Sequence, residues 1–231
     1  MKFSFFIVTD GNQWDRIEDI INSIIIAVPV DKYEIIIVGG TPQKEDSDWI
    51  KWIPWDEEKR PGDICNKKNC GIARARYDNV VISHDYIRYS INWYENIRKF
   101  GDDWDVYLNR IINLDGSRFR DLVVWDDIRN PPGWIQYEKW CANGLYTPGK
   151  PFLPSYEYSK YNKIYISGAW WVAKRDFMLD NPLRSDLRHG DAEDIEWSRR
   201  VRDKWNFKFD KNNHVSLIKY KSVEFPELNI L

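Results

Sequence analysis

Only three of the 231 residues are cysteine. Cys65, Cys70 and Cys141 are odd in number and lack the short paired spacing of a zinc site, so a reducing compartment is expected. No stretch approaches the roughly 20 apolar residues of a membrane helix, which sets a membrane span aside. The opening run from Met1 to Val8 resembles the start of a signal peptide, but Asp10 ends it early and no small-residue cleavage site follows. A cytoplasmic protein is the expectation. Charge of one sign is lacking too: 34 Lys+Arg stand against 36 Asp+Glu, for a net charge of -2. That balance gives no electrostatic case for nucleic acid or an anionic membrane as partner. Internal repeats and low-complexity segments are absent.

What the chain does have is enough apolar material for a core, 43% hydrophobic against 30% charged residues, which describes a globular protein. Thirteen Trp and thirteen Tyr are the compositional oddity. Such rings fill cores, and they also stack on the apolar faces of sugars and bases. Phe3 to Val8 reads as a buried strand followed by the loop Thr9-Asp10-Gly11-Asn12. Trp14, Ile17, Ile20, Ile21, Ile24 and Ile25 recur at helical spacing up to Pro29, and Tyr33 to Val38 is a second buried strand closed by Gly39-Gly40. Strand, helix, strand at this length implies a right-handed parallel crossover. Residues 49–55 suggest a third strand near an edge because of Pro54. A helix with a basic side is expected over 63–76, a strand over 79–83 and a short helix over 92–100. The second half reads as strands over 105–113, 121–125 and 163–173, a helix near Arg175, a polar helix over 192–204 and strand-like segments over 207–220. Between them, 130–155 is a Pro/Gly/Trp-rich stretch without periodicity, and loops of that length are usually functional. No linker divides the chain, so one domain over 1–231 is expected, with 1–110 and 111–231 as its halves.

Two stretches carry chemistry. Asn79-Val80-Val81-Ile82-Ser83-His84-Asp85-Tyr86 is an apolar run that ends abruptly in polar residues, as a buried strand does where it opens onto solvent. In open α/β sheets that end is where ligands bind. Asp85 there is either a hard oxygen ligand suited to Mg²⁺ or Mn²⁺, or a carboxylate that starts the next turn. The second is Gly190-Asp191-Ala192-Glu193-Asp194-Ile195-Glu196-Trp197. Asp191, Glu193 and Asp194 suit a helix N-terminus, where carboxylates favour the dipole. The same placement also suits a carboxylate that takes a proton from a hydroxyl, with the helix end expected to keep its pKa low.

In order and spacing these features resemble the GT-A glycosyltransferases, especially family-2-like inverting enzymes. The resemblance begins with Thr9-Asp10-Gly11-Asn12 and Tyr33-Glu34-Ile35-Ile36-Ile37-Val38. It continues through Asn66-Lys67-Lys68-Asn69-Cys70-Gly71-Ile72-Ala73-Arg74-Ala75 into Ile82-Ser83-His84-Asp85, a stretch similar to the small glycosyltransferase-like domains of streptomycin-biosynthesis proteins. Ile166-Ser167-Gly168-Ala169-Trp170-Trp171-Val172, followed by Ala192-Glu193-Asp194, resembles the β-1,4-galactosyltransferases. Two positions depart from the family: Ser83 stands for the first D-x-D carboxylate, and Gly39-Gly40 for an Asp pair after the second strand.

The resemblance implies a single Rossmann-like α/β domain, its mostly parallel sheet flanked by helices, with a smaller antiparallel C-terminal part. It also implies a metal-dependent inverting transfer of a sugar from a nucleoside-diphosphate sugar to a hydroxyl of a glycan or glycoconjugate. Carried over by residue, Asp85 and His214 would hold Mn²⁺ (or Mg²⁺), Asp194 would be the base and Glu193 would bind acceptor. Thr9, Asp10, Lys67, Lys68, Arg74 and His84 would face the donor, Lys67, Lys68 and Arg74 being equally a solvated helix face. Trp170 and Trp171 would stack on a sugar or fill the core, and the 130–155 stretch, with Trp134, Tyr137, Trp140 and Tyr146, would be an acceptor lid. Competing classes are a non-catalytic carbohydrate- or nucleotide-binding protein on the same scaffold and a nucleotidyltransferase. The last is disfavoured because no Gly-rich phosphate loop follows the first strand.

Overall fold

The computed structural model describes residues 1–43, 46–125, 151, 153–157, 163–222 and 227–228. β1 (Phe3–Val8) is buried at every position, which is why its sequence is continuously apolar rather than alternating. α1 (Trp14–Ala27) buries Ile17, Ile20, Ile21 and Ile24 and ends just before Pro29. β2 (Tyr33–Val38) returns parallel to β1, and β3 (Ile50–Ile53) adds at the edge and stops before Pro54. After α2 (Ile64–Arg74), β4 (Asn79–His84) pairs with the other side of β1, Phe3 opposite Asn79 and Val8 opposite His84. There follow β5 (Ile87–Tyr89), α3 (Trp93–Phe100), β6 (Val106–Ile112), β7 (Val123–Val124), β8 (Leu153–Pro154) and β9 (Ile164–Tyr165). The chain continues through β10 (Trp170–Lys174), α4 (Arg175–Asp180), α5 (Glu193–Val201), β11 (Phe207–Leu217) and β12 (Glu227–Leu228).

Eight strands form one sheet in the order β3-β2-β1-β4-β10-β6-β11-β5. Only β10 and β5 run against the rest. β7 and β9 make a small antiparallel pair, and β8 and β12 a parallel one. Among the described residues most of the Trp and Tyr are core: Phe3, Phe5, Tyr89, Trp93 and Trp170 meet edge to face, with Phe5–Tyr89 centroids 5.1 Å apart and Trp93–Trp170 6.4 Å. Among the described residues no helix is long and apolar enough to cross a membrane.

The structure departs from expectation in three places. The single strand expected over 163–173 is two, β9 and β10. Between them Ile166 N–H donates to Ser198 Oγ (3.0 Å) and Gly168 N–H to Asp194 Oδ2 (2.8 Å), so α5 takes backbone donors that a continuous strand would give to a neighbour. The strand expected over 121–125 shrinks to β7, because Asp121 turns inward to bind Arg118 Nε (2.7 Å) and Leu122 N–H (2.7 Å). β5, three residues long, was not foreseen. The lid expected from Trp134, Tyr137, Trp140 and Tyr146 lies outside the described residues.

Candidate active site

β4 and β1 end side by side, and the polar residues that follow are tied across the gap. Thr9, buried, donates its Oγ1 proton to Asp85 Oδ2 (2.7 Å), and Asp85 N–H donates to Val8 O (3.2 Å). Burial raises the Asp85 pKa above its ordinary value; the Thr9 hydrogen bond opposes that shift and the charge of Asp10 adds to it. Ser83 is fully buried, its hydroxyl donating to Phe6 O (2.9 Å), so the residue standing for the first family carboxylate is bound to the sheet. His84 stacks on Tyr86 with centroids 5.2 Å apart. Burial, then the charges of Lys68, Lys221 and His189, hold its pKa well below the usual imidazole value, so the ring is neutral.

The second wall comes from α5. Ala192, at φ 55, is the only non-glycine residue with positive φ among the described residues, and it swings the chain into the helix. Asp194 Oδ2 then accepts from Gly168 N–H (2.8 Å) and Oδ1 from its neighbour Ile195 N–H (2.9 Å). A Cβ on Gly168 would lie 2.9 Å from Asp194 Oδ2, so the close approach requires glycine. The expected low pKa of Asp194 is corrected: it is raised to about 6, because burial and the adjacent Glu193 charge outweigh Lys68 and the two N–H groups. Glu193 is buried against Lys68, whose Nζ donates to Glu193 Oε1 (2.9 Å) and Gly168 O (3.1 Å) and lies 4.8 Å from the Trp171 ring centroid.

His84, Glu193 and Asp194 line one cavity of ≈ 220 Å³ together with Tyr86, Arg120, Gly168, His189 and Lys221. Asp85, like His214, is not in this lining; it reaches the cavity only through its charge, which with those of Glu193 and Asp194 adds to the upward shift that burial gives the Tyr86 pKa. Sequence reasoning missed Tyr86, Arg120, His189 and Lys221. Their one signal was position, after a strand end or beside Gly190.

Other expected site residues go elsewhere. Trp170 and Trp171 are fully buried in β10 and present no face to a sugar; they are core. The basic face expected on α2 is not a face for a diphosphate. Lys67 is buried, donates to Thr9 O (2.9 Å) and pairs with Glu57; Lys68 is spent on Glu193; and Arg74 lies exposed beside Cys70. Asp10 is exposed, accepting from Asn12 N–H (2.9 Å). His214 sits on β11 opposite Arg110, with its pKa lowered by burial and by that charge, and is not in the cavity lining. Gly39-Gly40 is filled by backbone: a Cβ on Gly39 would fall 1.7 Å from Thr9 O and one on Gly40 2.5 Å from Gly11 Cα. Glu57 completes this corner by accepting from Gly40 N–H (3.3 Å).

The donor set does not fit the metal expected from the resemblance. Ser83 is bound to the sheet, Asp85 Oδ2 is engaged by Thr9, and among the described residues no group of three His, Cys, Asp or Glu is placed to hold an ion.

Comparison with solved structures identifies this mostly parallel α/β arrangement as the GT-A fold, a likeness of fold alone. S. aureus TarS residues 1–349, solved with UDP-GlcNAc, matches with TM-score 0.61 and 14% identity over 96% of this chain and 60% of that one. GalNAc-T7, solved with UDP, GalNAc and Mn²⁺, matches with TM-score 0.64 and 14% identity over 98% of this chain and 45% of that one. The chain thus spans less than two thirds of either structure. No family model matches it, and no curated protein does.

Proposed function

We propose that the protein is an inverting glycosyltransferase that moves a sugar from a nucleoside-diphosphate sugar to a hydroxyl of a glycan or glycoconjugate. The observation that carries this is Asp194, a carboxylate aimed by two main-chain N–H groups into a cavity that it shares with His84 at the sheet's ligand-binding end. The structures that share the fold were solved with UDP, UDP-GlcNAc or GalNAc, which supports a nucleotide-sugar donor.

In this reading the acceptor hydroxyl stands against Asp194. Its oxygen forms a bond to the anomeric carbon as the bond from that carbon to the diphosphate oxygen breaks on the opposite face. The proton passes to the Asp194 carboxylate, and the anomeric centre inverts. Both N–H bonds to Asp194 are in place before reaction, so no side-chain reorganisation is needed to aim it. Glu193, held by Lys68, orients the acceptor. A divalent ion would supply charge to the leaving diphosphate, but the donor set among the described residues gives no basis for a step through one.

The test is direct. Asp194→Asn keeps the volume of the site, removes the base and gives up one of the two N–H bonds, so transfer should fall by about 10²-fold or more while UDP affinity, read by calorimetry, stays within about threefold. Retained turnover removes Asp194 from the role. The buried Ser83 at the first carboxylate position favours a second reading, a carbohydrate- or nucleotide-binding protein without activity. That reading is supported if UDP or a glycan binds while a screen of nucleotide sugars gives neither transfer nor donor hydrolysis.

A further inference from the structure

Two cations, Arg120 and Lys221, line the same cavity as Asp194, and no sequence pattern pointed to them. Beyond β11 the chain turns at Ile218, whose N–H donates to Tyr86 O (2.9 Å). Lys221 is then clamped by a buried side chain: its N–H donates to Asn113 Oδ1 (2.9 Å), and Asn113 Nδ2 donates to its carbonyl (3.1 Å). This fixes the Lys221 Nζ 3.9 Å from the Tyr86 ring centroid and 5.7 Å from that of Phe119, both rings being part of the cavity lining. Lys219 Nζ lies 4.9 Å from the same Tyr86 ring, and Arg120 also lines the cavity.

Among the described residues no carboxylate lies within ion-pairing distance of Lys221 Nζ. Asp85 attracts it from further off, while Lys219 and Arg120 repel it. A half-buried ammonium resting on an aromatic face, with like charges beside it, is a site short of an anion. The same lining holds Glu193 and Asp194, and Glu193 already has Lys68 as its partner. One cavity therefore lodges both a carboxylate able to take a proton and a cation without a carboxylate partner among the described residues, the two kinds of group that displacement of a diphosphate needs.

We propose that Lys221 binds the diphosphate of the donor and supplies, in place of a divalent cation, the charge that stabilises it as it leaves. This rests on the donor reading given above and goes beyond it by naming the group that meets the phosphates. Asp85 then acts from behind the ammonium, favouring its charged form, rather than as a metal ligand. The Lys221 ammonium leaves the Tyr86 ring to form charge-assisted hydrogen bonds with phosphate oxygens.

The experiment is calorimetry of the full chain with UDP and with inorganic pyrophosphate, each in EDTA and in Mn²⁺. Lys221→Met keeps the aliphatic stem on Tyr86 and removes the charge, and Lys221→Arg keeps the charge; thermal unfolding checks that both variants fold. Wild type should bind UDP in EDTA within about threefold of its affinity in Mn²⁺. Lys221→Met should lose about tenfold or more, and Lys221→Arg should recover most of it. Binding that disappears in EDTA, or a Lys221→Met affinity equal to wild type, overturns the role of Lys221 and leaves the donor reading standing. No binding of UDP or pyrophosphate to wild type, with or without Mn²⁺, overturns both.

Discussion

Asp194 holds two properties in tension. A base works as a carboxylate, yet burial and Glu193 favour the protonated form and bring its pKa to about 6. The sign follows from linkage. With a folded-state pKa above the unfolded one, its contribution to stability is full below about pH 4 and is lost as pH rises through about 6, while the active form is gained over the same window. Transfer at saturating substrates should therefore climb with pH, reach half its maximum near 6 and level off about one unit higher. Carboxyl-carbon NMR should place the Asp194 midpoint near 6 and that of exposed Asp115 below 3.8, because hydrogen bonds from Ser117 hold the latter down. An Asp194 midpoint near 4 would remove this account. The sequence made Asp194 legible through its order relative to the β4 stretch, but not its pKa. A helix N-terminus predicts a low value, and what reverses it is burial together with the charge of Glu193.

The ends of β1 and β2 show how an element can be recognisable while its ligand chemistry is not. Thr9-Asp10-Gly11 and Gly39-Gly40 pack main chain on main chain, with Gly39 at φ 134 and no room for a Cβ beside Thr9 O. Gly39→Ala should cost about 3 kcal/mol or more from strain and overpacking, read as a lower urea midpoint. An unchanged midpoint would mean that the contact is not as close as described. The first strands, α1 and β4 were readable because continuous apolar runs and helical spacing follow directly from burial. The division of 163–173 into β9 and β10 was not, since it depends on hydrogen bonds donated to α5. Nor was the direction of Lys67 and Lys68. A basic helix face reads as solvated until Glu57 and Glu193, distant in sequence, arrive beneath it.

At the scale of the molecule the two halves expected from the sequence share one sheet. β10 is inserted between β4 and β6, so the later half of the chain completes the sheet begun by the earlier one. Lys68 carries the same connection through side chains, reaching from α2 to the Gly168 turn and to α5. Lys68→Met should leave Glu193 buried without its partner and destabilise the whole chain by about 3–5 kcal/mol, with unfolding still a single transition. Two separated calorimetric transitions would argue against one domain. Fold class was legible because the alternation of strands and helices encodes it, whereas Asp194 and Glu193 were singled out only through the resemblance, since by themselves they read as a helix N-terminus. Lys221 was not: a lone lysine after a strand carries no pattern, and its place over Tyr86 depends on Asn113.

Both anchors of Asp194 are main-chain groups, so the direction of the carboxylate does not depend on which side chain residue 195 bears. It depends on residue 168 having none. Drift in sequence around this pocket can therefore alter what enters it, by changing wall residues, while the aim of the Asp194 carboxylate stays fixed.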